Sequence, residues 1–246
     1  MDGCYSVDTV NSRVGSGEPD SLFSPRSPRV GKRGVILCHG VTAPGQYLDA
    51  TNGPSSVQLP AMLARNGVTC FSGSFGGDSW ANDTAMTRLT AAKAVLVTAG
   101  CASDKVCLYG ISMGAAVALR WAIGNPTLVA AGYGTAPVSD ISDIYTNNRA
   151  SLRASIGTAW GVTYPTALPA GADLAGQASA VAAIPWRLDY GSLDTLIIPA
   201  TVTALATAMG ANCTATQVDT TNPHGDALFA KTDPATVLAF FVANGA

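Results

Sequence analysis

The sequence predicts an α/β fold, a mostly parallel central sheet with helices on both faces. Six short apolar runs, at 35–38, 68–72, 105–109, 128–133, 185–190 and 213–219, have the length and side-chain character of strands. Segments patterned as helices, at 55–66, 83–99, 113–123, 199–209 and 234–243, separate most of them. Strand–helix alternation of this kind reads as parallel strands whose crossovers cover both faces. At 246 residues the chain has a length that α/β architectures commonly fold as one domain.

Each element has a local reason. Residues 1–32 are rich in Ser, Pro, Gly and Arg, including Ser24-Pro25-Arg26-Ser27-Pro28-Arg29, and read as an irregular arm, with short edge strands as the alternative. The regular pattern starts at Gly34, and its first strand leads through His39-Gly40 into a tight turn. The helix at 55–66 stops at Gly67; the one at 83–99 starts from an Asn82 or Asp83 cap and stops at Gly100. After the strand at 128–133 the alternation breaks, because 139–183 is longer than an ordinary connection. Its Ile144, Tyr145, Leu152, Ile156, Trp160, Val162, Tyr164 and Leu168 suit either a roof over an apolar group or packing onto the sheet.

Composition excludes several classes. Only 12% of residues are charged and the net charge is −2, so there is no basic field for a polyanion, and nucleic acid is not an expected partner. No run approaches the roughly 18 apolar residues of a membrane span, and the first thirty residues lack the basic start and apolar stretch of a signal peptide, which favours a cytoplasmic protein. Of six cysteines, Cys38, Cys70 and Cys107 lie in strand-like runs and are expected in the core, whereas Cys4, Cys101 and Cys213 are left open to pairing. The spacings fit no zinc pattern, and neither a metal nor another cofactor is expected.

Chemistry concentrates at Gly110-Ile111-Ser112-Met113-Gly114, between an apolar strand and a helix that runs unbroken to Gly124-Asn125-Pro126. A G-x-S-x-G turn in that setting lifts a serine onto a strained corner, with small flanking residues that let strand and helix approach. Serine needs a base, and the base needs an orienting group. Of the two histidines, His224 lies in a loop after the last strand, at the edge where a parallel sheet gathers functional residues. His39 instead opens the loop suited to donating an oxyanion N–H, and is read as shaping it through backbone and ring. Asp194, presented by Gly191-Ser192-Leu193 at a strand end, is the first candidate acid. Asp140 and Asp143 stand in reserve, and Asp226 is too near His224 along the chain. The loop 73–82 should share the rim, with Phe75 and Trp80 as candidates to line a pocket and Asp78 to hold the loop.

Together, Val35-Ile36-Leu37-Cys38-His39-Gly40, Gly110-Ile111-Ser112-Met113-Gly114, Gly191-Ser192-Leu193-Asp194 and Pro223-His224-Gly225 give a chain that resembles the α/β-hydrolase superfamily, in the style of small esterases and lipases, over 33–246. The order Ser112, Asp194, His224 is that family's order. The resemblance implies an α/β-hydrolase fold with 139–183 as a cap inserted after the sixth family strand. It further implies Ser112 as nucleophile, His224 as base and then acid, and Asp194 as orienting carboxylate, with the N–H groups of Met113 and Val41 as oxyanion donors. The run Val41-Thr42-Ala43-Pro44-Gly45 lacks the extra glycines of HGGG-type lipases. The expected activity is carboxylester hydrolysis through an acyl-enzyme on a small-molecule or lipid-like ester, rising with pH as His224 becomes neutral. His39, Phe75, Trp80 and Tyr164 are expected to flank the substrate. A lipase, thioesterase, cell-envelope ester hydrolase or peptidase would use the same machinery, and a binding or structural module retaining the fold is the alternative of another class.

Overall fold

A computed structural model describes residues 5–10, 20–26, 31–41, 58–148 and 150–246. Its strands are β1 (Tyr5–Val10), β2 (Asp20–Pro25), β3 (Val35–Cys38), β4 (Cys70–Gly73), β5 (Val106–Ile111), β6 (Val129–Thr135), β7 (Trp186–Gly191) and β8 (Cys213–Asp219). They form one sheet in the order β1-β2-β4-β3-β5-β6-β7-β8. From β4 to β8 every neighbouring pair is parallel, and β1 and β2 run antiparallel at one edge. All six strands expected from the apolar runs form, each within two residues of its expected ends.

In the arm, the alternative of short edge strands is the one realised. β1 pairs with β2 from Tyr5↔Pro25 to Val10↔Asp20, and β2 continues onto β4. Serine and proline gave β2 little strand character of its own. The pairing is sustained instead by the exposed edge of β4 and by Phe23, which is fully buried.

The helices are α1 (Gln58–Arg65), α2 (Asp83–Thr98), α3 (Met113–Gly124), α4 (Ile141–Asp143), α5 (Ala150–Trp160), α6 (Leu174–Gln177), α7 (Pro199–Met209), α8 (Asp226–Phe229) and α9 (Pro234–Ala243). The start expected for the first of them, at 55–57, lies outside the described residues. Asn82, rather than Asp83, caps α2 by accepting from the Ala85 N–H at 3.1 Å. Gly67 and Gly100 follow α1 and α2 with φ of 84° and 92°, the left-handed exit that glycine allows.

Alternating side chains divide each buried strand between two cores. Val35 and Leu37 face Leu59 and Leu63 of α1 and Val237 and Phe241 of α9. Ile36 and Cys38 face the opposite layer, with Leu89 of α2, Trp121 of α3 and Val202 of α7. The segment 139–183, between β6 and β7, joins this second core through Ile144, Tyr145, Ile156, Leu174 and Val181. For most of its apolar residues the packing alternative is therefore realised, whereas Tyr164 is 47% exposed. Cys38, Cys70 and Cys107 are buried thiols, as expected, and burial pushes the Cys107 thiol up to about 12. Cys101 and Cys213 are free, and Cys4 lies outside the described residues. No described helix is long and apolar enough to cross a membrane.

Candidate active site

Ser112 joins β5 to α3 with φ 52° and ψ −119°, a conformation strained for a residue with a side chain. Three backbone hydrogen bonds hold it there. Its N–H donates to the Thr135 carbonyl at 2.9 Å, and its own carbonyl accepts from Val138 at 3.0 Å and Ala115 at 3.1 Å. The flanking glycines are required by contact. A Cβ on Gly110 would lie 2.4 Å from the Ala115 nitrogen, and one on Gly114 would lie 2.2 Å from the Cys38 carbonyl oxygen. The corner can thus close only with hydrogen atoms at both positions.

Two loops at the carboxyl edge of the sheet bring partners to this serine. Ser112 Oγ lies 2.8 Å from His224 Nε2, and His224 Nδ1 lies 2.7 Å from Asp194 Oδ2. Asp194 is itself fixed, because its Oδ1 accepts from the Leu196 N–H at 2.9 Å and the Ile197 N–H at 2.8 Å. With the Asp194 carboxylate as acceptor, Nδ1 carries the proton of a neutral ring and Nε2 presents a lone pair to the serine hydroxyl. Phe229 meets the His224 ring edge to face at 5.1 Å, so the imidazole is braced on a side that carries no hydrogen bond. Residues separated by 112 and 30 positions become one hydrogen-bonded relay. The reserve acids are engaged elsewhere: Asp140 accepts from the Asp143 N–H at the start of α4, and Asp143 accepts from Asn147.

Other residues singled out from the sequence fall in varied places. Gly40 passes close to the elbow, since a Cβ there would be 3.6 Å from Ser112 Cβ, which brings the start of the His39-Gly40-Val41 turn beside the serine. The residues after Val41, 42–57, lie outside the described residues. The buried His39 ring has Nδ1 2.6 Å from the Gly40 carbonyl oxygen and Nε2 2.6 Å from that of Ser74, so it joins two loops. Phe75 and Trp80, expected on a pocket rim, are buried in the core beside α2 and α3. Their aromatic character signalled burial as much as binding. Tyr164 lines a cleft of ≈ 510 Å³ with Arg153, Gly157 and Val162, and the Arg153 guanidinium lies 4.1 Å from its ring centre. That cleft is lined by residues between 153 and 164, and Ser112, Asp194 and His224 are not among them.

The family model described as the alpha/beta hydrolase family matches residues 35–241. The chain belongs to the alpha/beta hydrolase family. No curated protein matches it. Solved structures resemble this alpha/beta hydrolase in fold at low identity. One is carboxyl esterase 2 from the mycorrhizal fungus Tuber melanosporum, with a TM-score of 0.70 and 15% identity over 100% of this chain and 88% of that one. A second is the fluorophosphonate-binding serine hydrolase F of Staphylococcus aureus, at 0.71 and 12% over 98% and 99%. A third is the Pyrococcus furiosus esterase Pf2001, at 0.64 and 18% over 97% and 92%.

Two groups in this alpha/beta hydrolase escaped the sequence reading. Asp219, at the end of β8, accepts from the Thr221 N–H at 2.9 Å, the Thr221 hydroxyl at 2.8 Å and the Asn222 side chain at 2.6 Å, and so folds the turn that leads to His224. Burial pulls its carboxyl up, but these donors together outweigh that and hold it at about 2. Its signal, Asp219-Thr220-Thr221-Asn222 after a strand, was an Asx-type turn. The other group is a buried network under the elbow. Asp189 accepts from Tyr133 at 2.5 Å, Arg187 at 2.8 Å and Thr232 at 3.3 Å, while Thr135 links Tyr109 at 2.9 Å to Thr232 at 3.1 Å. Burial and the neighbouring Asp189 charge raise the Tyr133 phenol well above its ordinary range. No local spacing announces a network whose members come from four separate segments.

Proposed function

We propose that the protein is a serine hydrolase that cleaves carboxylic esters by double displacement. The observation that carries this reading is the unbroken hydrogen-bonded relay from Ser112 Oγ through His224 to Asp194. His224 Nε2 takes the hydroxyl proton as Oγ adds to the ester carbonyl. The tetrahedral oxyanion is held by the N–H groups of Met113 and Val41, and the imidazolium then protonates the departing alcohol. Water enters, gives its proton to Nε2 and releases the carboxylic acid, restoring Ser112. Asp194 stabilises the imidazolium and keeps Nδ1 protonated throughout.

An ester substrate is supported by the relay together with the esterases among the proteins of like fold. The small number of charged residues supports an uncharged ester. The segment 139–183 is proposed to act as a cap on the main domain of 33–246, its apolar residues anchoring it to the core.

Labelling decides the mechanism. A fluorophosphonate probe is expected to modify Ser112, and Ser112→Ala to lose at least about 10³-fold in turnover of p-nitrophenyl butyrate. Activity at the parent rate in Ser112→Ala, or an unlabelled serine in folded protein, would sink the proposal, the latter in favour of a non-catalytic module. Initial rates over a series of p-nitrophenyl acyl chain lengths then separate a short-chain esterase from a lipase.

A further inference from the structure

Five non-glycine residues have positive φ among the described residues, and three of them, Phe75, Trp80 and Ala81, lie in the loop between β4 and α2. A loop that holds three such residues is kept in place by its surroundings rather than by its own preference. Trp80 is where those surroundings converge. Its buried backbone N–H donates to the Met113 sulfur at 3.4 Å, a weak acceptor for a group that must be satisfied. Its indole N–H donates to Ser155 Oγ at 2.8 Å, and its carbonyl accepts from the Trp160 indole at 3.0 Å. In the two residues that follow, Asn82 donates to the Ala159 carbonyl at 2.8 Å and the Ala81 carbonyl accepts from Arg120 of α3 at 2.5 Å. One loop therefore grips α5 with one set of bonds and α3 with another, of which the bond to Met113 reaches its first turn.

We propose that Trp80 is a positioning residue that pins Met113, and with it the first N–H of α3, while tying that turn to helix α5. The inference rests on the reading of the Met113 N–H as an oxyanion donor. The Met113 side chain is the handle by which the loop sets the angle of that N–H. Because the same tryptophan is clamped by Ser155 and Trp160, a change on α5 is transmitted to the oxyanion site, where it slows chemistry rather than weakens binding of the ester.

The test compares Met113→Leu, which keeps the volume but removes the acceptor, with Met113→Gln, which offers a carbonyl oxygen in its place. For p-nitrophenyl butyrate, Met113→Leu is expected to lose roughly tenfold in kcat at unchanged KM, below the 10²–10³-fold typical of losing a whole donor. Its affinity for a trifluoromethyl ketone analogue of the tetrahedral intermediate should fall by a similar factor. Met113→Gln should recover part of both, and Ser155→Ala, which removes only the indole's partner on α5, should lose a few-fold in kcat in protein that is still folded at the assay temperature, with a lower melting temperature. Parent values of kcat and analogue affinity in Met113→Leu, or in Ser155→Ala where the former does not fold, overturn the inference, as does a loss confined to KM. In that event fluorophosphonate labelling of Ser112 and an inactive Ser112→Ala would leave the hydrolase reading standing, whereas an active Ser112→Ala would remove both.

Discussion

At single positions, the proposed chemistry depends on acceptors placed to leave one lone pair free. Asp194 has its Oδ1 occupied by two loop N–H groups, so its other oxygen is aimed at His224 and nothing else is needed to set the tautomer. Asp194→Asn offers an N–H or a neutral oxygen in that place, and a loss of about 10⁴-fold in kcat with little change in melting temperature is expected from steady-state kinetics and thermal melts. Asp219 acts one step further back. Its carboxyl, held at about 2 against an ordinary 3.8, favours the folded state fully above the ordinary value, and that contribution disappears as pH falls from about 4 to about 2. Denaturant midpoints measured across that range should therefore decline less steeply in Asp219→Asn than in the parent. The same variant loosens the turn before His224, and a displacement there is expected to lower kcat by up to about 10²-fold at neutral pH.

Among the elements, the joint between β5 and α3 is the least forgiving. Gly114 lies where the helix backbone meets the end of β3, and an added Cβ would be 2.2 Å from the Cys38 carbonyl oxygen, a rigid neighbour. Gly114→Ala is expected to cost at least about 1–3 kcal/mol, seen as a lower melting temperature, and to slow fluorophosphonate labelling by shifting the elbow away from His39 and Gly40. This joint was legible because its requirements are local: a strand, a serine between glycines, a helix without breakers. β1 and β2 were not legible in the same way. Their pairing depends on an edge of β4 more than 40 residues further along the chain, and a stretch containing Ser24-Pro25-Arg26 carries no periodicity that reveals such a partner.

For the molecule as a whole, two cores on opposite faces enclose the sheet, and three loops meet at its carboxyl edge. Phe241 of α9 is fully buried, its ring 6.3 Å from Tyr133 and 5.7 Å from Phe240, and it anchors the last helix to the middle of the sheet. Phe241→Ala is expected to lower unfolding stability by about 3–5 kcal/mol, read as a shift of the urea midpoint at similar slope. The other core carries the segment 139–183, and the same packing that stabilises it gives the elbow helix a neighbour outside the sheet. Aromatic residues in that segment and in the loop 73–82 were ambiguous before the fold was known, because burial and ligand contact favour the same side chains. Packing resolved Phe75 and Trp80 toward the core and left Tyr164 exposed on its cleft.

Periodicity, glycine placement and the chain order of Ser112, Asp194 and His224 were enough to specify the layered α/β architecture and the candidate reacting groups, because each of these signals is written within a few neighbouring residues. Distances between segments are not written that way. That Asp194 rather than Asp140 reaches His224, that Asp219 folds the histidine loop, that Trp80 grips Met113, and that β1 and β2 extend the sheet all follow from crossovers that bring remote backbone together. Such contacts are set by how the two cores close around the sheet, and local sequence carries no measure of that closure.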